Sequence, residues 1–399
     1  MIALLGILAI LAVATLCSNN RRHIPLRTVS FALLLQLAFA ALVLWLPAGQ
    51  AVLNAVSQGV SSVINYGQEG IAFLFGDLAK FKLGFIFAFN VLPVIIFFSA
   101  LIAILYHIGL MPRLIALLGG ALRRLLGTGR AESLSATANI FVGMVEAPLV
   151  VKPYLAKMSD SQFFAVMSCG LASVAGGTLV GYASIGVELK YLIAAAFMSA
   201  PAGLAMAKIL VPPTEAEEDH HEDVVIPRAT NVIEAAADGA MAGLNIAVAV
   251  GATLLAFVGI IALLNGLLGW GGSLFGFDLS FQLLLGWLFA PVSWLIGIPW
   301  HEAHAAGALI GTKIVINEFV AFIALVQDQT LSEASKAIVT FALCGFANIS
   351  SMAILIGGLG AMVPERKAFI ARFGMRAILA GVLANLMSAC LAGLFLTLS

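Results

Sequence analysis

Charge is the scarcest property of this 399-residue chain: Asp, Glu, Lys and Arg make up 10% of it, where a soluble domain carries about one quarter. With 62% hydrophobic residues and a mean hydropathy of +1.08, the shortage excludes a water-soluble fold and indicates a polytopic membrane protein. Net charge is zero, so nothing argues for nucleic acid as a partner. Cysteine is scarce too. Cys17, Cys169, Cys344 and Cys390 all fall in apolar segments, which provides neither a disulfide framework nor metal-ligand spacing. No basic region precedes the first apolar run; Arg21, Arg22 and Arg27 follow it. That order is the reverse of a cleavable signal peptide, and residues 2–17 are expected to form a short first span. Only one stretch is clearly hydrophilic, PPTEAEEDHHEDVVIPRAT at 212–230, which reads as a solvated cytoplasmic linker. The remainder reads as one membrane domain.

A crossing helix needs about 20 apolar residues. Eight segments are candidates: 2–17, 29–48, 83–107, 161–184, 189–210, 243–265, 333–358 and 373–397. Five further apolar pieces fit poorly as simple crossings, at 52–75, 112–126, 131–157, 281–298 and 302–328. Ser57, Ser61, Ser62, Asn65 and Gln68 interrupt the first at near-helical spacing, which suits a helix lying in the interface. If 131–157 and 302–328 are re-entrant hairpins, fifteen of the 20 Lys and Arg residues share one side, leaving Lys80, Lys82, Lys190, Lys313 and Lys336 elsewhere. This satisfies the positive-inside rule with both termini outside the cytoplasm.

The chain also repeats itself. CGLASV at 169–174 returns as CGFANI at 344–349, and each copy follows an awkward segment that carries a glutamate, Glu146 or Glu318. The unit of span, interfacial helix, hairpin, span and span runs over about 83–210 and again over 243–399, after an N-terminal part at 1–82 and with a linker at 211–242. Three crossings per unit turn the second copy upside down relative to the first. The expected fold is therefore all-α: eight transmembrane helices, two re-entrant helical hairpins and interfacial helices in an inverted repeat. That is the architecture of secondary transporters, in which broken segments meet near the midplane and bind substrate and coupling ion.

The two glutamates make sense as contributors to one central site. A carboxylate at mid-membrane costs roughly 2.5 to 3.5 kcal/mol, and irregular backbone persists at that depth only where it lines protein or a watery cavity. Gly143 and Pro148 flank Glu146 and break its helix. Around Glu318, VINEFVAF has neither glycine nor proline, so a second break follows from the repeat alone. Plainer readings stand beside this one. Glu146 and Glu318 could pair with Lys152 and Lys313 snorkelling to the interface, and Asn348, Ser351 and Ser173 could be helix-helix glue. WHEAH, at 300–304, spaces its histidines three apart, whereas a zincin needs four. A channel would need a continuous polar path, and an enzyme a nucleophile or metal set that does not assemble here.

FVGMVEAPLVVKPY, CGLASVAGGTLVGYASIG, INEFVAF and FALCGFANISSMAILIGGLG, in this order, resemble the concentrative nucleoside transporters from about residue 83 to the C-terminus. The resemblance implies a cation-coupled nucleoside importer in the inner or plasma membrane, a homotrimer whose protomers carry two hairpins and two broken helices. It implies no cofactor beyond the coupling ion. Carried over by position, Glu146 would face the base, Glu318, Asn348 and Ser351 would bind ribose hydroxyls, and Phe346 would pack beside the ligand. Sodium would sit among Asn139, Val142, Ser173 and Val174, hard oxygen ligands that suit an alkali cation.

One departure matters. Sodium-coupled members commonly place Gln and Thr or Ser between the hairpin glycine and its glutamate, whereas this chain has Met144 and Val145. The base side loses two polar readers, so base discrimination should be weaker or reorganised, with Thr178 a substitute contributor. Sodium is the expected coupling ion. The alternatives are proton coupling through a desolvated Glu146 and a carrier for another polyol-bearing solute.

Overall fold

The computed structural model describes residues 2–79, 85–214 and 229–396. Lys80, Lys82, Arg228 and most of the acidic linker lie outside them. The described residues are helical throughout, with no strand. Six helical segments are long and apolar enough to cross a membrane: Leu26–Trp45, Phe87–His107, Asp160–Ser184, Leu189–Leu210, Val232–Ser273 and Pro364–Leu396. Phe281–Leu295 and Trp300–Val315 form a pair bent by 116°. Ile2–Leu16 is apolar but has 15 residues, about 22 Å of helix against a hydrocarbon core of about 30 Å.

Several boundaries differ from the sequence reading for local reasons. The helix expected to lie in the interface is longer than 52–75: it runs Pro47–Phe75, starting on Pro47 directly after the second span, because proline suits the first helical position. The helix expected at 243–265 begins at Val232 and continues for 42 residues, so it takes in the end of the assigned linker. Its start is set by Asn231, whose side chain accepts from the Glu234 amide at 2.9 Å. The expected 333–358 span is two helices, Glu333–Leu343 and a second that starts at Ser351. The 161–184 span likewise breaks between Ala172 and Gly176. Both breaks fall on the repeated CG-A motif.

Backbone freed at membrane depth must be satisfied from within the protein, and one side chain serves both breaks. Asn385, on the C-terminal helix Lys367–Leu396, donates Nδ2 to the Ala172 carbonyl at 2.7 Å and to the Cys344 carbonyl at 3.0 Å. The Phe346 amide donates to the Ser173 carbonyl at 3.1 Å, joining one break to the other. Gly345 permits this approach: a Cβ there would lie 2.2 Å from Asn385 Oδ1. We expect Gly345→Ala to displace Asn385 and lower the thermal unfolding midpoint in detergent; an unchanged midpoint would show that Asn385 is not the bridge. The packing carries the repeat as well. Asp160–Ala172 and Glu333–Leu343 each pack on both Leu189–Leu210 and Lys367–Leu396.

The first hairpin consists of Arg130–Ala138, an irregular tip over 139–146, a tight turn of helix at Ala147–Val151 and Lys152–Leu155. The second is Trp300–Val315 followed by Glu318–Gln327. Its break needs no glycine, because Asn317 caps the new helix by accepting from the Val320 amide at 3.0 Å. Both hairpin bases are anchored. Glu132 and Lys208 form a fully buried ion pair at 2.9 Å, and Glu302 accepts from the amide and hydroxyl of Ser332 at 3.2 and 3.0 Å.

Candidate functional site

The sequence folds the second hairpin so that Glu318 opens a helix immediately after its cap, with its carboxylate buried beside the second break. Its Oε1 accepts from the Tyr182 hydroxyl and its Oε2 from Asn348 Nδ2, both at 3.0 Å. The Asn348 amide is oriented from its other end. Its Oδ1 accepts from Ser350 Oγ at 2.7 Å, the Ser351 amide at 2.9 Å and Ser351 Oγ at 3.0 Å. Ser351 Oγ also lies against the Phe346 carbonyl, and Phe346 is half-buried. An ionised carboxylate has about four acceptor positions; side-chain donors fill one on each oxygen, and the backbone amide of Glu318 also faces the carboxylate. Lys313 is no counter-ion on the interface: it is buried and donates to Asn385 Oδ1 at 2.7 Å and the Ala342 carbonyl at 3.2 Å.

The four residues expected around a cation sit at the first break and the first hairpin tip. Asn139 and Ser173 are buried, and Asn139 Oδ1 and Ser173 Oγ have no hydrogen-bond partner among the described residues. The Asn139 amide nitrogen is committed to the Ser135 carbonyl at 2.9 Å, so its oxygen is the free end. Outside the regular helices, no described backbone amide donates to the carbonyls of Val142 or Val174. Tip and break are held together by the Gly176 amide, which donates to the Phe141 carbonyl at 3.0 Å. Buried oxygens left without donors are costly, and a hard cation would satisfy all four at once.

On the base side the outcome is mixed. Glu146 is exposed to a cavity of about 910 Å³, together with Val142, Gly143, Tyr106, Asp238 and Ala175. Met144 is buried against Gly170, and half-buried Val145 packs toward Gly358. Neither lines the cavity. Thr178 is buried and lines it no more than they do. Glu318, Asn348, Ser351 and Phe346 are also absent from its wall, so the two glutamates do not share this chamber in the present conformation. Lys152, the other snorkelling candidate, is exposed. Sequence reasoning overlooked Tyr182 and Asn385; polar atoms inside strongly apolar helices were the available signal.

Comparisons with known proteins identify the family. Residues 5–78 and 191–393 match the N-terminal and C-terminal family models of Na+ dependent nucleoside transporters, and residues 88–188 match a domain described as nucleoside recognition. The chain is 52% identical to the nucleoside permease NupC of Helicobacter pylori, over 100% of this chain and 98% of that one. It is 35% identical to sodium/nucleoside cotransporter 1 of Homo sapiens, over 99% of this chain and 63% of that longer protein. Its fold superposes on the transporter CNTnw in an inward-facing substrate-bound state with a TM-score of 0.95, at 53% identity and covering 99% of this chain and 98% of that one. A variant of CNTnw in an outward-facing state gives 0.97 at 52% identity, covering 100% and 99%. By sequence over its whole length and by fold, the chain belongs to the concentrative nucleoside transporter family.

Proposed function

We propose that the protein imports ribonucleosides across the inner or plasma membrane by sodium symport with alternating access. Glu318, Asn348 and Ser351 bind the ribose, Phe346 packs beside it, and Glu146 faces the base. The observation that carries this reading is the buried Glu318 carboxylate, fixed by one side-chain donor on each oxygen, Tyr182 and Asn348, with acceptor capacity to spare. A vicinal diol donates two hydrogen bonds at that spacing. Sodium as the coupling ion is supported by the unpartnered oxygens of Asn139 and Ser173, with Val142 and Val174 adding carbonyls. Assembly as a homotrimer belongs to the same proposal, and native mass spectrometry in detergent tests it.

Proteoliposomes loaded with buffer test the transport reading directly. Labelled uridine should accumulate above equilibrium when an inward sodium gradient is imposed and not when a pH gradient is imposed alone. Accumulation driven by the pH gradient would transfer the coupling role to a proton, for which Glu146, open to the cavity, is the available carrier. Removing the free hydroxyl with Ser173→Ala should raise the sodium concentration for half-maximal uptake roughly 10-fold, the loss of about one ion-oxygen contact, while leaving the maximal rate near wild type. With Met144 and Val145 given over to packing, uridine, cytidine and adenosine should compete within about one order of magnitude of one another, since an apolar pocket separates ligands weakly.

A further inference from the structure

Among the described residues, Tyr182 is the side-chain donor that reaches Glu318 from the other half of the molecule. It lies in the last turn of the helix Gly176–Ser184, 136 residues from the carboxylate it meets. The ring is fully buried. It is seated between Phe319, at 4.6 Å between centroids, and Phe322, at 4.5 Å, and Phe319 is closed from another side by Phe87 at 5.7 Å. Such a seat leaves the phenol little freedom, so its hydroxyl dictates where Glu318 Oε1 can be. The same short helix follows directly on Ser173 and Val174, whose oxygens form half of the proposed cation set.

We propose that Tyr182 is a positioning residue for sugar recognition: it orients the Glu318 carboxylate toward the ribose and ties it to the helix whose N-terminal flank holds the cation oxygens. The proposal rests on the ribose and sodium assignments above. Without the phenolic donor, Glu318 can rotate about its terminal torsion, and its two oxygens no longer face one diol together. Ion binding at Ser173 and Val174 would then act less directly on the sugar site, because linkage between two sites requires an element that both of them bias.

Tyr182→Phe keeps the ring and removes only the hydroxyl. The expected result is a KM for uridine about 10-fold higher with kcat little changed. The preference for uridine over 2′,3′-dideoxyuridine should shrink by a similar factor, and sodium should strengthen uridine binding less than in the wild type. Wild-type discrimination and wild-type sodium dependence in this variant would overturn the proposal. A wild-type protein that does not distinguish uridine from the dideoxynucleoside would instead refute the ribose assignment, and that result needs no variant. Should Tyr182→Phe not yield a monodisperse protein, Phe319→Leu, which loosens the seat and leaves the hydroxyl, must shift both quantities in the same direction; if it shifts neither, the proposal fails.

Discussion

Glu318→Gln should reduce kcat/KM for uridine at saturating sodium by about 100-fold or more. The carboxylate is held at both oxygens by donors, Tyr182 and Asn348. An amide of the same shape must turn its NH2 toward one of them, which sets donor against donor at Asn348 or reverses the hydrogen bond at Tyr182, whose hydroxyl can also accept. It also replaces two charge-assisted hydrogen bonds to the sugar by at most one neutral acceptor. Hydrogen bonds to charged groups contribute about 1.5 to 3 kcal/mol each, and roughly 1.4 kcal/mol is a factor of ten, so losing both places the effect at two orders of magnitude or above. Initial rates of labelled uridine uptake in proteoliposomes measure it. Unchanged uptake and affinity would remove Glu318 from the substrate site, and the ribose assignment with it.

The second large effect concerns stability. Lys208→Ala should destabilise the protein by about 3 to 5 kcal/mol, because removing one partner of a buried ion pair is strongly destabilising. The other partner is Glu132, fully buried at the base of the first hairpin and 2.9 Å from the lysine. Replacing both partners together, as Glu132→Leu with Lys208→Met, should recover most of the loss, since apolar groups of similar volume carry no desolvation penalty there. Thermal unfolding of the detergent-solubilised protein distinguishes the cases. A single variant as stable as the wild type would mean that water reaches Glu132, against its burial. The pair anchors the hairpin whose tip carries Asn139 and Val142, so weakened sodium activation should accompany the lost stability.

Much of the architecture was legible in the sequence. Low charge and long apolar runs identified the membrane, and the repeated CG-A motif revealed the repeat, but the two spans that carry it were read as continuous and the structure breaks both at the motif. The first hairpin tip announced itself through Gly143 and Pro148. The second followed from the repeat alone, because its break is made by Asn317 acting as a helix cap, a role that asparagine in an apolar stretch does not advertise. Helix ends were read less well. Val232–Ser273 starts well before its strongly apolar part, since its first turns are set by Asn231 rather than by hydropathy.

The candidate site was legible as a set of residue types and positions, and less so as a geometry. Glu318 and Asn348 meet, but the sequence offered no means of seeing that Tyr182 holds the other carboxylate oxygen. Lys313 looked available to snorkel or to pair with Glu318; its ammonium instead binds Asn385, which bridges the two breaks. Met144 and Val145, read as standing where polar base readers would be, pack against Gly170 and Gly358.

The amino-acid sequence by itself determined the solvent, the helical class, the internal repeat and which polar residues had to be explained, because hydropathy and periodicity are local properties that each segment carries with it. Tertiary structure alone decided which donor meets which acceptor. Tyr182 and Glu318 are 136 residues apart, and Asn385 and Ala172 are 213 apart; such pairs are specified by how helices pack, and no single segment contains that information.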